Sequence, residues 1–270
     1  MRQQVEIHAT CPPLLGPGEP PAWELRNHDS DSPLVILCDH AHNRIPDALG
    51  QLGLDPVHLG DHIAYDIGAL AVADRLADAF ACRMFAAGYS RLVIDINRHP
   101  GDGSSIPEVS DQVTIPGNRD LHPDQVMQRE NELFWPYHNA VTSGLEQIRE
   151  SGRTPVILSL HSFTPSFRGF ERPWHLGVLW DRDQRLSGPL IHRLARLPGI
   201  CVGDNQPYHA RNPLGFTMDV HCERNGYPHV LLEIRQDLIS DTRGAAHWAR
   251  LLHSQLRPLL IELALLEIEP

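Results

Sequence analysis

Along this 270-residue chain, short runs of consecutive apolar residues alternate with stretches whose apolar positions recur every three or four residues. The runs have the length and β-branched content of buried strands, and the stretches between them read as amphipathic helices packed on a sheet. Pro33 to Asp39 is the first predicted strand. From Asp61, residues Ile67, Leu70, Ala71, Ala77 and Phe80 mark one face of a helix. Cys82 to Ala86 and Arg91 to Ile96 read as two further strands separated by Gly88 and Tyr89. A long irregular stretch, His99 to His122, carries repeated Gly and Pro turn signals and no period, as binding loops and lids do. Pro123 then stands where a helix starts, and Val126, Phe134, Tyr137, Val141, Leu145 and Ile148 give it one apolar face up to Ser151-Gly152. Thr154 to Leu160 and His175 to Trp180 are predicted strands, with Leu186 to Leu197 a helix after the second. Asp204 to Gly215 reads as a loop before a short β-like run to His221. His229 to Ile234 is the last strand and Gly244 to Leu266 the closing helix, bent at Pro258. Strands alternating with helices predict one α/β domain, residues 33–270, with a mixed, mostly parallel sheet. Residues 1–32, rich in Pro, Gly and charge, predict an extended arm without chemistry of its own.

Several strand runs end in polar clusters, and open α/β sheets place their chemistry at such ends. LVILCDHAHNRIP delivers Asp39, His40, His42, Asn43 and Arg44. LVIDINRHP leads to Asp95, Asn97, Arg98 and His99, and VILSLHSFTP to His161 and Ser162. HVLLEIRQD carries Glu233 and Arg235 in mid-run.

Composition narrows the partners. A formal net charge of −11 opposes nucleic acid or an anionic membrane as the main partner, because such surfaces require a basic face. No apolar run reaches the roughly 20 residues of a membrane span, and the N-terminus lacks a signal-like apolar core; the expectation is a soluble, cytoplasmic protein. The cysteines (Cys11, Cys38, Cys82, Cys201, Cys222) are scattered without a CxxC pair, so they read as reduced, mostly buried side chains. Histidine, at 17 residues, slightly raises the prospect of a metal site.

Zinc hydrolysis requires nitrogen or carboxylate ligands, an open position for water and a general base beside it. His40, Asn43 and His161 are the candidates for ligands, with Asn43 the weaker because an amide binds zinc poorly beside a carboxylate. His40 has an alternative role, hydrogen-bonded to Asp39 or Asp66 at the lip of the sheet. Glu233 lies inside an apolar strand, where an unpaired carboxylate is costly; it is either paired with Arg235 or a general base with a shifted pKa. Arg98 with Asn97 offers a fork for a substrate carboxylate, or else a cap on the sheet. Arg91 and Arg119 are weaker anion contacts.

Six strings in order, LCDHAHNRIP, DHIAYDIGA, SRLVIDINRHP, IPGNR, LSLHSFTP and VLLEIRQDL, together resemble the N-formylglutamate amidohydrolase family over Leu34 to Ile239. The resemblance implies a three-layer phosphorylase/hydrolase-like fold, distantly similar to the zinc carboxypeptidases and the aspartoacylase and succinylglutamate desuccinylase group. It further implies zinc, with His40 and His161 as ligands, Asn97 and Arg98 as the carboxylate clamp and Glu233 as the base. The relatives carry Glu where this chain has Asn43, which leaves the third ligand to Asn43 or to Asp39 or Asp66. They also carry Pro-His-(Ser or Ala)-Gly where this chain has Asp39-His40-Ala41-His42, which places it on a side branch.

The expected activity is therefore metal-dependent cleavage of the amide of a small N-acyl amino acid, with N-formyl-L-glutamate to formate and L-glutamate as the family default. Two other readings share the fold: a ligand-binding protein without catalysis, motivated by Asn43, and a zinc peptidase or amidase acting on a peptide or cell-wall fragment, which would need a wide groove.

Overall fold

The structure, a computed structural model, describes residues 12–210 and 215–267. Cys11, the first eleven residues of the expected arm and residues 211–214 of the expected loop lie outside the described residues.

The strands in chain order are β1 (Trp23–Arg26), β2 (Leu34–Cys38), β3 (Arg83–Ala87), β4 (Val109–Ser110), β5 (Val113–Thr114), β6 (Val156–Phe163), β7 (Ser166–Phe167), β8 (Phe170–Glu171), β9 (Leu176–Leu179), β10 (Val202–Asp204) and β11 (His229–Arg235). The helices are α1 (Pro56–Leu59), α2 (Ala69–Phe80), α3 (Pro123–Arg129), α4 (Trp135–Glu150), α5 (Ser187–Leu194) and α6 (Thr242–Glu262). One seven-stranded sheet has the order β1-β3-β2-β6-β11-β9-β10. Its central strands β3, β2, β6 and β11 run parallel, β9 is antiparallel to β11, and β1 is antiparallel to β3. The remaining short strands form the hairpins β4-β5 and β7-β8.

Every residue of β2 is buried. Its side chains alternate between two cores, Leu34, Ile36 and Cys38 on the side of α2, α5 and α6, and Val35 and Leu37 on the side of α4. A strand covered on both faces needs this continuous apolar run, and burial of each such side chain contributes about 1.5–3 kcal/mol. On β6 and β11 the face toward α4 changes character along the strand. Ile157 and Leu231 are apolar there, whereas Ser159, His161 and Glu233 are polar and still buried. The site occupies that face.

Three predicted elements differ. Arg91 to Ile96, buried from Leu92 onward, forms turns instead of a strand. Its backbone finds other partners: Val93 N–H donates to Ser90, and the carbonyls of Leu92 and Val93 accept from the side chains of Asn118 and Arg129 at 2.8 and 2.9 Å. The sheet edge a strand would need is taken by β1, a piece of the expected arm, which pairs with β3 from Trp23↔Ala87 to Arg26↔Met84. The run to His221 is helical, a wide π-turn over Met218–Cys222. The helix expected from Asp61 begins only at Ala69, after Gly68 at φ 81°. A Cβ on Gly68 would stand 2.3 Å from the Ile239 carbonyl, so no other residue fits the turn.

Candidate active site

His40 and Asp39 follow directly on β2. Asp66 lies in the turn before α2, held there by its N–H donating to the His40 carbonyl at 3.0 Å. His161 on β6 and Glu233 on β11 are register partners of the same parallel pair. Asp95, Asn97 and Arg98 come from the turn segment after β3. These elements converge on a cavity of about 200 Å³ lined by His40, Asp66, Arg91, Asn97, Arg98, His161, Ser162, Leu179, Tyr208, His209, Ala210, Gly215, Met218, Leu231 and Glu233.

Asp66 is the hub. Its Oδ2 lies 3.4 Å from His40 Nδ1 and 2.9 Å from His161 Nδ1, and accepts the Ser162 N–H at 3.2 Å. His40 Nε2 meets Asp95 Oδ1 at 2.8 Å, and His161 Nε2 lies 3.6 Å from Asp39 Oδ2. One donor atom from each of His40, Asp66 and His161 lies within 4.8 Å of the others, and all three residues are buried. Two imidazoles and a carboxylate in a buried cluster are a donor set that suits a divalent metal ion.

The charges follow from these contacts. Burial opposes ionisation of Asp66, Asp95 and Asp39, but their partners outweigh it: His40 and His161 hold Asp66 well below the usual carboxylate range, Arg91 and His40 do the same for Asp95, and His161 holds Asp39 at about 2. Burial also opposes charge on His161, yet its hydrogen bonds to Asp39 and Asp66 raise it to about 10. Glu233 differs. Burial, seconded by Asp66, outweighs the pull of His161, His40 and Arg91 and raises it to about 7. Among the described residues its Oε2 has no hydrogen-bond partner. Arg235 does not pair with it, because that guanidinium turns to Asp237 at 2.7 and 3.1 Å.

The other sequence candidates divide. Asn97 is buried, and its Oδ1 accepts the Thr217 N–H at 3.2 Å. A Cβ on Gly215 would lie 2.5 Å from that same Oδ1, so glycine lets the segment close on Asn97. Arg98 lines the cavity, its Nη1 donating to the Asn97 carbonyl at 2.8 Å. Arg91 lines it too, but is bound to Asp95 by Nε at 3.1 Å and Nη2 at 2.7 Å. Asn43 does not line the cavity; its amide donates to the Leu59 carbonyl at 2.6 Å. Arg119 is exposed and away from the cavity lining. The long loop His99 to His122 contributes no lining residue, whereas Tyr208 to Met218 contributes several. Nothing in the period of that stretch marked it, and only its crowding of Tyr208, His209 and Gly215 into a Pro-rich loop offered a signal.

No curated protein sequence matches the chain. Among solved structures, gene product Atu2144 from Agrobacterium tumefaciens is 32% identical with a TM-score of 0.90, over 93% of this chain and 99% of that one. N-formylglutamate amidohydrolase from Ralstonia eutropha JMP134 is 21% identical with a TM-score of 0.68, over 89% of this chain and 97% of that one, and shares its fold. The family model for N-formylglutamate amidohydrolase matches residues 32–240, a span that runs from the strand delivering His40 to the end of the strand carrying Glu233. The chain therefore belongs to the N-formylglutamate amidohydrolase family, a family of amide hydrolases.

Proposed function

We propose that the protein hydrolyses the amide of a small N-acyl amino acid with the help of a divalent metal ion, zinc by the nature of the donors. The observation that carries this reading is Glu233: a buried carboxylate raised to about 7, its Oε2 without a hydrogen-bond partner among the described residues, in register with His161 and facing the His40, Asp66, His161 cluster. A general base is most effective when its pKa lies near the working pH.

His40, Asp66 and His161 would hold the ion, and a bound zinc supplies Lewis acidity and makes water acidic enough to react near neutral pH. Glu233 accepts the proton of the attacking water and returns it to the departing amine nitrogen. Water oxygen joins the acyl carbon, the C–N bond breaks, and the products are a carboxylic acid and a free amino acid. Arg98 and the Asn97 amide hold the substrate carboxylate, and Asp95 keeps the His40 ring oriented. The cavity volume favours a small substrate over a peptide or cell-wall strand. Asp66 supplies the carboxylate that Asn43 lacks, which supports hydrolysis over ligand binding alone.

The test is metal content of protein purified without chelator, beside Glu233→Gln. About one zinc per chain is expected in both proteins, with turnover of N-acyl amino acids reduced roughly 10²–10⁴-fold in the variant. A chain that takes up no added zinc, or a variant with undiminished turnover, overturns the assignment.

A further inference from the structure

Both imidazoles of the cluster turn the same nitrogen to its hub. His40 Nδ1 and His161 Nδ1 lie 3.4 and 2.9 Å from Asp66 Oδ2, which leaves each Nε2 for another partner. A ring nitrogen that binds a metal ion offers its lone pair, so the proton of the neutral ring sits on the opposite nitrogen and needs an acceptor there. For His40 that acceptor is Asp95, which lies 2.8 Å from Nε2 and is itself gripped by Arg91.

His161 has a matching arm. Asp39 Oδ2 stands 3.6 Å from His161 Nε2, and Asp39 Oδ1 accepts the Tyr137 hydroxyl at 2.6 Å. Asp39 and Tyr137 are both 0% exposed, and a carboxylate is kept in such a place only with partners that offset its desolvation. The two partners divide its oxygens: the hydroxyl from α4 fixes one, and the other is left toward the ring. Ser159 Oγ also faces Nε2, at 3.1 Å. It is a neutral group on the same strand as His161, whereas Asp39 brings a charge from the end of β2 and is held in place by a third element.

Resting on the metal-dependent amidohydrolase reading, we infer that Asp39, braced by Tyr137, is a positioning residue of the site. It holds the Nε2 proton of His161, so that Nδ1 is aimed at the space shared with His40 and Asp66 and made a better donor to a metal ion. Asp39 acts through the imidazole and does not line the cavity. A carboxylate behind a ligating histidine fixes its ring and raises its basicity, and loss of such a partner costs about 10–100-fold in metal affinity. In Asp39→Asn a single oxygen remains for two donors, so either Tyr137 or His161 loses its acceptor.

The experiment measures zinc dissociation constants by chelator competition for the parent, Asp39→Asn, Tyr137→Phe and Ser159→Ala. Beside them it follows the His161 ring N–H resonance, assigned by its loss in His161→Ala, with and without zinc. Asp39→Asn is expected to bind zinc about 10–100-fold more weakly, Tyr137→Phe more weakly by a smaller factor, and Ser159→Ala to lose less than Asp39→Asn. The ring resonance is expected to shift in both Asp39→Asn and Tyr137→Phe. A purely structural role would lower unfolding free energy and leave both readouts where they are. Asp39→Asn with the parent's zinc affinity overturns the inference, as does a larger loss in Ser159→Ala. If Asp39→Asn does not fold, Tyr137→Phe, which lacks one oxygen atom, decides: an unchanged constant with an unmoved resonance refutes the arm. If the parent takes up no zinc, the metal reading itself fails, and the resonance alone then judges Asp39: a shift in the variants sustains its hold on His161, and no shift refutes it.

Discussion

His138 and His221 are both buried, and their rings meet by Nδ1 and Nε2 at 2.9 Å. His138 Nε2 lies 2.9 Å from the Ile96 carbonyl and must donate to it. His138 Nδ1 is then the acceptor, and His221 Nε2–H the donor. This arrangement holds two neutral imidazoles next to the segment that presents Asn97. Burial lowers His138 to about 3, helped by His221, and lowers His221 to about 4. In the unfolded chain both titrate near 6.5. The folded pKa values are depressed, so the folded state takes up fewer protons as the pH falls, and stability drops from about pH 6.5 downward. Between pH 7 and pH 5 an imidazole of pKa about 6.5 gains about 2 kcal/mol from protonation in the unfolded chain, while its buried counterpart gains almost nothing. The pair thus costs about 4 kcal/mol over that interval, a large share of the roughly 5–15 kcal/mol typical of a domain. Glu233 works in the opposite sense, because its raised pKa lets the folded protein take up a proton before the unfolded chain does. The informative quantity is therefore a difference between proteins. In His221→Gln the amide keeps a donor toward His138, and one titrating group is gone. Urea unfolding of both proteins at pH 7 and pH 5, read as midpoint times slope, should show the variant losing about 2 kcal/mol less than the parent. An identical loss in both, within about 0.5 kcal/mol, refutes the neutral buried pair.

Three further outcomes are expected. Asp66→Asn, which removes the charge at the hub of the cluster, should lower zinc content well below that of the parent while the far-ultraviolet spectrum is unchanged; equal zinc content would place the third donor elsewhere. Arg98→Ala should raise KM for substrates with a free α-carboxylate and leave the much poorer KM of their carboxamide analogues little changed, and an equal effect on both would make Arg98 structural. Arg129 is 2% exposed and donates to the carbonyls of Val93 and Gly117 and to Asn118 Oδ1, so Arg129→Met leaves buried acceptors unpaired. A loss of about 3 kcal/mol in unfolding free energy is expected, and a loss under about 1 kcal/mol would show that water takes over these bonds.

The apolar periods disclosed the layered core because burial on two faces demands a continuous apolar run, as in β2, and burial on one face demands a three- to four-residue period, as in α2 and α6. Arg91 to Ile96 shows where that reasoning fails. An apolar run states that side chains are buried, yet whether its backbone pairs with a strand or with the side chains of Asn118 and Arg129 depends on which sheet edges are open. The arm read as extended and without chemistry closes that edge through β1, because four residues that bury little by themselves are held by main-chain hydrogen bonds to β3.

For the site, residue type and position at a strand end were enough to single out His40, His161, Asn97, Arg98 and Glu233, and the structure brings them to one cavity. Residue type and order along the chain were thus settled locally: which stretches are buried, which strand ends carry polar groups, and which family pattern they follow. What only the tertiary structure decided is convergence in space. It sets Asp66, not Asn43, between the two histidines, it fastens Arg91 to Asp95, and it stands Leu179, Leu231 and Met218 beside Glu233. These groups come from turns and strands far apart in the chain, and whether a polar side chain ends up paired or available is set by the neighbours that packing assigns to it, which no local pattern encodes.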